Sequence, residues 1–218
     1  MPIRALRPRL PIGTKGGSKE RVYLEDHLNA VEAATEVTCA HLPANLRSAL
    51  KTAAHLHDYG KADIRYQAWL RGGDLLSARY APKTIAKSGK DVLRPQQAVG
   101  LPQGFRHEIL SLILAEKSPR LSEAQRDLVL HLIASHHGRC RPLAPVIIDS
   151  DAGCASYNGI DVCAEERLER TPHRIGNGVP DRFWKLTARY GWWGIAYLEA
   201  LLRLADWRAS TEEAAEVE

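Results

Sequence analysis

His57 and Asp58 stand side by side in the segment Ala54-His55-Leu56-His57-Asp58-Tyr59-Gly60-Lys61, and further candidate donors occur at His27, His107, the pair His136-His137, and Asp206. Neutral imidazole nitrogens and carboxylate oxygens are the groups that hold divalent transition metals. A lone histidine on an apolar face is more often a hydrogen-bonded core residue, and each of these residues taken singly admits that explanation. Taken together they are harder to dismiss. They fall at helix ends or on otherwise apolar faces, where such groups are costly without a shared purpose. The set predicts a site for divalent ions. His41, His55, His131 and His173 lack this placement and are read as surface or supporting residues.

The elements that must position these residues read as helices. Helical periodicity dominates, which gives an all-α fold class; the one short run with strand character is Val146-Ile147-Ile148. A first helix is expected over about residues 22 to 40, with His27 beside the stripe Leu24, Leu28, Val31, Ala34. A second, from about 44 to 59, carries Leu46, Leu50 and Ala53, and its apolar face runs directly into His57. A third is expected over 61 to 71, closed by Gly72-Gly73, followed by some thirty residues without clear periodicity. His107 opens a helix reaching Ala115. Ser122 and Gln125 form a capping-box pattern before the face Leu128, Leu132, His136, and Gly138 supplies the stop. Residues 139 to 179 read as loop, and Pro180-Asp181 starts a helix that breaks at Gly191. In the last helix Ile195, Leu198 and Leu202 lead by a step of four to Asp206, a carboxylate on an apolar stripe that calls for a cation. Trp184, Trp192 and Trp193 are expected to fill the core around these helices.

The 218 residues suffice for one good core. Three segments are expected: a basic extension over residues 1 to 20, the folded domain over 21 to 210, and an acidic, frayed tail over 211 to 218. No stretch approaches the ~18 apolar residues that span a bilayer, and no secretory signal is read, so the expected location is cytoplasmic. The four cysteines form no C-x-x-C pair and read as free thiols. Residues 71 to 94 carry six basic side chains against two acids, a local excess suited to phosphate backbones.

With these residues in hand, the chain resembles the HD superfamily of metal-dependent phosphohydrolases, and within it the HD nuclease domain of the CRISPR-associated helicase-nuclease of type I systems. The resemblance rests on Asp26-His27-Leu28, His57-Asp58-Tyr59-Gly60-Lys61, Arg106-His107-Glu108, Ser135-His136-His137-Gly138 and Leu204-Ala205-Asp206 followed by Ser210, in family order. The segments Phe105-Arg106-His107-Glu108 and Arg189-Tyr190-Gly191-Trp192-Trp193-Gly194 look closest to the subtype whose nuclease domain follows the helicase. The resemblance implies a helical bundle with a dinuclear metal site between helices and cleavage of single-stranded DNA. One ion would be held by His27, His57, Asp58 and Asp206, the other by Asp58, His107, His136 and His137, with Asp58 bridging. The implied partners are single-stranded DNA, a helicase domain or subunit, and the CRISPR RNA-guided surveillance complex, with no membrane.

One departure is plain. No G-x-x-x-x-G-K-[ST] loop occurs, so unwinding is expected from a separate polypeptide or another segment, and the chain reads as a stand-alone subunit or an excised domain. The mixed shell favours manganese, nickel, cobalt or iron, with magnesium the less suited candidate. Lys61 is read with Asp58 as catalytic, a point charge for the scissile phosphate or transition state. Arg139, Arg141 and Ser210 are candidate contacts to the strand. Two other functions stay open: an HD phosphohydrolase acting on nucleotides, which needs an enclosed base pocket, and a non-catalytic docking module that keeps its histidines for a structural metal.

Overall fold

The computed structural model describes residues 21–89, 92 and 94–215, so the basic extension at 1 to 20 lies outside the described residues. Helix α1 (Leu24–Thr38) buries Leu24, His27, Leu28, Val31 and Thr35, one stripe at steps of three and four. Helix α2 (Ala44–Leu56) lies against it and buries Leu50, Ala53, Ala54 and Leu56. Helices α5 (His107–Ala115) and α6 (Arg126–Ser135) are apolar nearly all round. That marks α6 as the central helix, packed on α2, α5 and α8 (Val179–Ala215). One continuous core, with Leu50, Leu114, Leu132, Ile133 and Leu202 at its centre, joins them. The fold is the all-α bundle that the periodicity predicts.

Helix α2 stops at Leu56, short of Tyr59. Tyr59–Ala62 forms a 3₁₀ turn, and α3 (Ile64–Leu70) begins at Ile64 instead of Lys61, because Asp63 caps it by accepting from Arg65 N at 2.8 Å. The stretch after Gly73 is not featureless. It holds α4 (Leu75–Arg79) and strand β2 (Ile85–Lys87), which pairs antiparallel with β1 (Val22–Tyr23). Gln67 pins β2 in place: its amide donates to Lys61 O (2.7 Å) and Ile85 O (2.9 Å), while its carbonyl accepts from Ile85 N (3.0 Å).

Val146-Ile147-Ile148 is not a strand. Among the described residues no strand pairs with it, and Val146 and Ile148 are exposed. The strands of this region are β3 (Ala155–Tyr157) and β4 (Ile160–Val162), a hairpin closed by Asn158-Gly159, both with positive φ (51° and 74°) as a type I′ turn requires. Helix α7 (Ala164–Glu169) follows, with Cys163 N donating to Glu166 Oε2 at 3.1 Å. Ser122 opens only a 3₁₀ turn and its hydroxyl makes no capping bond; α6 starts at Arg126.

Gly191 (φ 72°, ψ 167°) breaks α8 where the sequence puts the break. Two expectations for this helix fail. The tryptophans do not fill the core: Phe183 takes the buried place, and Trp184 and Trp192 pack edge-on to it from outside, leaving Trp193 89% exposed. Nor does the helix end near Ser210: α8 continues to Ala215, and residues 216–218 of the expected tail lie outside the described residues. All four cysteines are free thiols. Among the described residues no helix is long and apolar enough to cross a membrane.

Candidate metal centre

Five helices deliver donors to one point. Residue His57 ends α2, Asp58 begins the 3₁₀ turn after it, His27 comes from the first turn of α1, His107 opens α5, His136 and His137 close α6, and Asp206 lies on α8. The carboxylate of Asp58 is at the middle. Its Oδ2 lies 3.4 Å from His27 Nε2 and 3.4 Å from His57 Nε2; its Oδ1 lies 3.0 Å from His107 Nε2 and 3.8 Å from His136 Nε2. Two triads flank it: His27, His57 and Asp206 on one side, His107, His136 and His137 on the other. Asp206 Oδ1 is 3.4 Å from His27 Nε2, and His137 Nε2 is 3.2 Å from His107 Nε2. The sequence-derived set of seven donors is thus brought together.

Which nitrogen of each ring carries a proton follows from its partner. His57 Nδ1 donates to Ala54 O and His136 Nδ1 donates to Ile133 O, each at 2.7 Å, so both rings turn an Nε2 lone pair inward. His57 Nε2, His136 Nε2 and Asp58 Oδ1 are buried and have no hydrogen-bond partner. Leaving such acceptors bare costs about 1–3 kcal/mol each. Three converging bare acceptors fit a cation, and the flanking triads supply imidazole and carboxylate donors for divalent ions.

The electrostatics agree. Burial, together with the neighbouring imidazoles His137 and His57, holds His136 well below the ordinary histidine range. Burial and the adjacent His107 bring His137 down to about 4. Both rings are therefore neutral and able to ligate at neutral pH. For His27, burial works downward, but hydrogen bonds to Asp206, Asp58 and Glu213 outweigh it and raise the ring to about 10. Asp58 is held below the usual carboxylate range although burial opposes this, because His57, Lys61 and His107 surround it.

Lys61 stands at the centre itself, with Nζ 2.6 Å from Asp58 Oδ2. Burial disfavours its charge, yet the Asp58 carboxylate more than compensates and raises its pKa. Arg139 is exposed just beyond the histidine pair. Arg141 is engaged by Glu199 at 3.1 Å, and Glu199 also accepts from His131 Nε2 at 2.7 Å, so Glu199 on α8 ties His131 of α6 and Arg141 of the loop beyond it. Ser210 sits one turn past Asp206 on α8, half-buried. His55 pairs with Glu32 and His41 with Tyr197, away from the centre.

Two supports were not read from the sequence. Gly60 N donates to Ser111 Oγ at 2.8 Å, and Ser111 Oγ donates to His107 O at 3.0 Å, which locks the 3₁₀ turn onto the start of α5. Glu213 accepts from His27 Nδ1 at 2.7 Å and from Lys87 Nζ at 2.6 Å. Its signal was present: Glu213 is seven residues past Asp206, two turns along the same face.

An all-α bundle that gathers histidines and two aspartates from five helices around one carboxylate defines an HD-type, metal-dependent hydrolase. A family model described as Cas3, HD domain matches residues 21–215, and the chain belongs to that family, one of CRISPR-associated metal-dependent nucleases. Comparison with curated proteins and with solved structures gives no match.

Proposed function

We propose that this protein cleaves single-stranded DNA at a two-ion centre, as the nuclease component of type I CRISPR interference in the cytoplasm. The observation that carries the proposal is the convergence of three partnerless buried acceptors, on His57, His136 and Asp58, between two triads of further donors. One ion would be held by His27, His57, Asp58 and Asp206, the other by Asp58, His107, His136 and His137, with Asp58 bridging. When bound, two divalent ions supply an activated water and neutralise charge on the phosphate. Manganese, nickel, cobalt and iron suit imidazole-rich donors better than magnesium does.

The chain's own residues do the remaining work. Asp58 fixes the spacing between the triads. Lys61 offers a charge beside it for the scissile phosphate, and Arg139, Arg141 and Ser210 are candidates for gripping the strand. His137 is exposed, so the centre opens to solvent on the α6 side, where a polymer can approach. A nucleotide enzyme encloses its base. Unwound DNA would come from a helicase domain or subunit recruited with the RNA-guided surveillance complex.

The test is degradation of circular single-stranded DNA by metal-stripped protein resupplied with manganese, nickel, cobalt or magnesium, with Asp58→Ala alongside. Metal-dependent cutting that the variant lacks supports the proposal, and a circle reports endonucleolytic action. Two bound ions without cutting under any metal would point to nucleotide substrates instead.

A further inference from the structure

His27 is held unlike the other inward-facing histidines. The Nδ1–H groups of His57 and His136 are each taken by a backbone carbonyl three residues back in the same helix. His27 lies in the first turn of α1, where the carbonyl three residues earlier is that of Leu24. Its Nδ1 instead meets the carboxylate of Glu213 at 2.7 Å, 186 residues away. A carboxylate only accepts, so Nδ1 carries a proton toward Glu213, and when the ring holds a single proton it is Nε2, facing Asp58 and Asp206, that is free to ligate.

Glu213 is itself fixed. Lys87 Nζ, at the end of β2, donates to its second oxygen at 2.6 Å, and β2 is bound through Ile85 to Gln67, whose amide also holds the carbonyl of Lys61. The Glu213 side chain is 12% exposed, on the turn of α8 that the sequence suggested would fray. A histidine ligand whose outer nitrogen is held by a carboxylate is fixed in tautomer and orientation and made more basic, and loss of that partner costs ~10–100-fold in metal affinity.

We infer that Glu213 is a positioning residue for the metal centre: it orients His27 as a ligand from the last turn of α8, and Lys87 keeps it there. The inference rests on the proposed ligand role of His27. It makes the ion nearest His27 the selective target of any change at Glu213, while the ion on the His107, His136 and His137 side is indifferent to it.

The test is a manganese titration by calorimetry of the whole chain, with cobalt absorption spectra as a second readout, on wild type, Glu213→Ala, Glu213→Gln, Lys87→Ala and His27→Ala. Glu213→Ala is expected to weaken one of two ions about tenfold to a hundredfold, leave the other unchanged and alter the cobalt spectrum. Glu213→Gln, which still offers an acceptor to Nδ1–H, should recover most of the affinity. Lys87→Ala should weaken the same ion to a smaller extent. Equal weakening of both ions, or a glutamine variant as poor as the alanine one, overturns the inference by making Glu213 merely structural. If Glu213→Ala and Lys87→Ala bind as wild type while His27→Ala loses one ion, the inference fails and the proposed function stands. Should wild type hold no ion, or His27→Ala bind as wild type does, the ligand reading and this inference fall together.

Discussion

Gly60 and His107 approach so closely that a Cβ on Gly60 would lie 2.0 Å from the His107 carbonyl oxygen and 2.7 Å from Ser111 N. Both obstacles are backbone, so neither can swing aside. The glycine is there for this contact: it lets the turn carrying Asp58 seat on the first turn of α5, where His107 is presented. Gly60→Ala should force the two apart, at a cost of about 1–3 kcal/mol from overpacking. Because the displaced residue is a candidate ligand, metal affinity should fall along with the denaturation midpoint. A variant that unfolds and binds manganese as wild type does would show that the contact does not position the centre.

The exposed tryptophans give a second prediction. Trp193 touches little, so Trp193→Ala should change stability by no more than about 0.5 kcal/mol. Leu202→Ala, at a fully buried position of the same helix, should cost about 2–5 kcal/mol. Urea denaturation of both variants checks this. A loss of several kcal/mol at Trp193 would return that residue to the core.

How far the sequence foretold these features depended on whether the signal was local. The stripe of α2 ran into His57 and that of α8 into Asp206, and a polar residue on an apolar helical face is visible without any tertiary information. Glu213 lay on the same face of α8, but the Glu- and Ala-rich stretch after Ser210 reads as a solvated tail unless Lys87 and His27 are known to wait for it. Those partners are 126 and 186 residues away. The tryptophans were misjudged for a related reason: apolar side chains mark surface that can be buried, and which of several aromatics is buried depends on packing. Phe183, beside His131, took the inner place. The hairpin at Asn158-Gly159 carried a readable turn signal, but its strands are three residues each, too short for alternation to register.

A buried ionic cluster contributes to the acid response. Asp63 accepts from Arg65 Nη2 at 3.1 Å and from Arg167 Nη2 at 2.9 Å, tying the start of α3 to α7, and Asp149 closes the group at 2.7 Å from Arg65. Burial would raise the Asp63 carboxyl, but the two guanidinium groups hold it below its ordinary value. A depressed carboxylate contributes stability that is full above the unfolded value of ~3.9 and is lost as pH falls through the lower folded value. Asp63→Asn should therefore destabilise by about 3–5 kcal/mol at neutral pH, since it leaves the buried Arg167 with one carboxylate partner, Asp149 at 3.4 Å, in place of two. The gap between wild type and variant should narrow only below about pH 4. Thermal melts from pH 7 to pH 3 measure it; a gap that closes between pH 5 and 7 would assign the effect to another group.

Lys61 should show opposite effects on binding and turnover. Its ammonium occupies Asp58 Oδ2 at 2.6 Å, the oxygen that also faces His27 and His57, so it competes with any cation for that carboxylate. Removing the charge in Lys61→Met, which keeps the length and apolar stem, should raise affinity for manganese. If the same ammonium turns to the scissile phosphate once ions fill the centre, kcat should drop by about 10²–10³, the usual loss for one group that stabilises developing charge. Calorimetry and initial rates on single-stranded DNA separate the two effects. Tighter binding with undiminished kcat would reduce Lys61 to a counter-ion for the metal-free centre, whereas weaker binding with slower cutting would mean that it holds Asp58 in place for the ions.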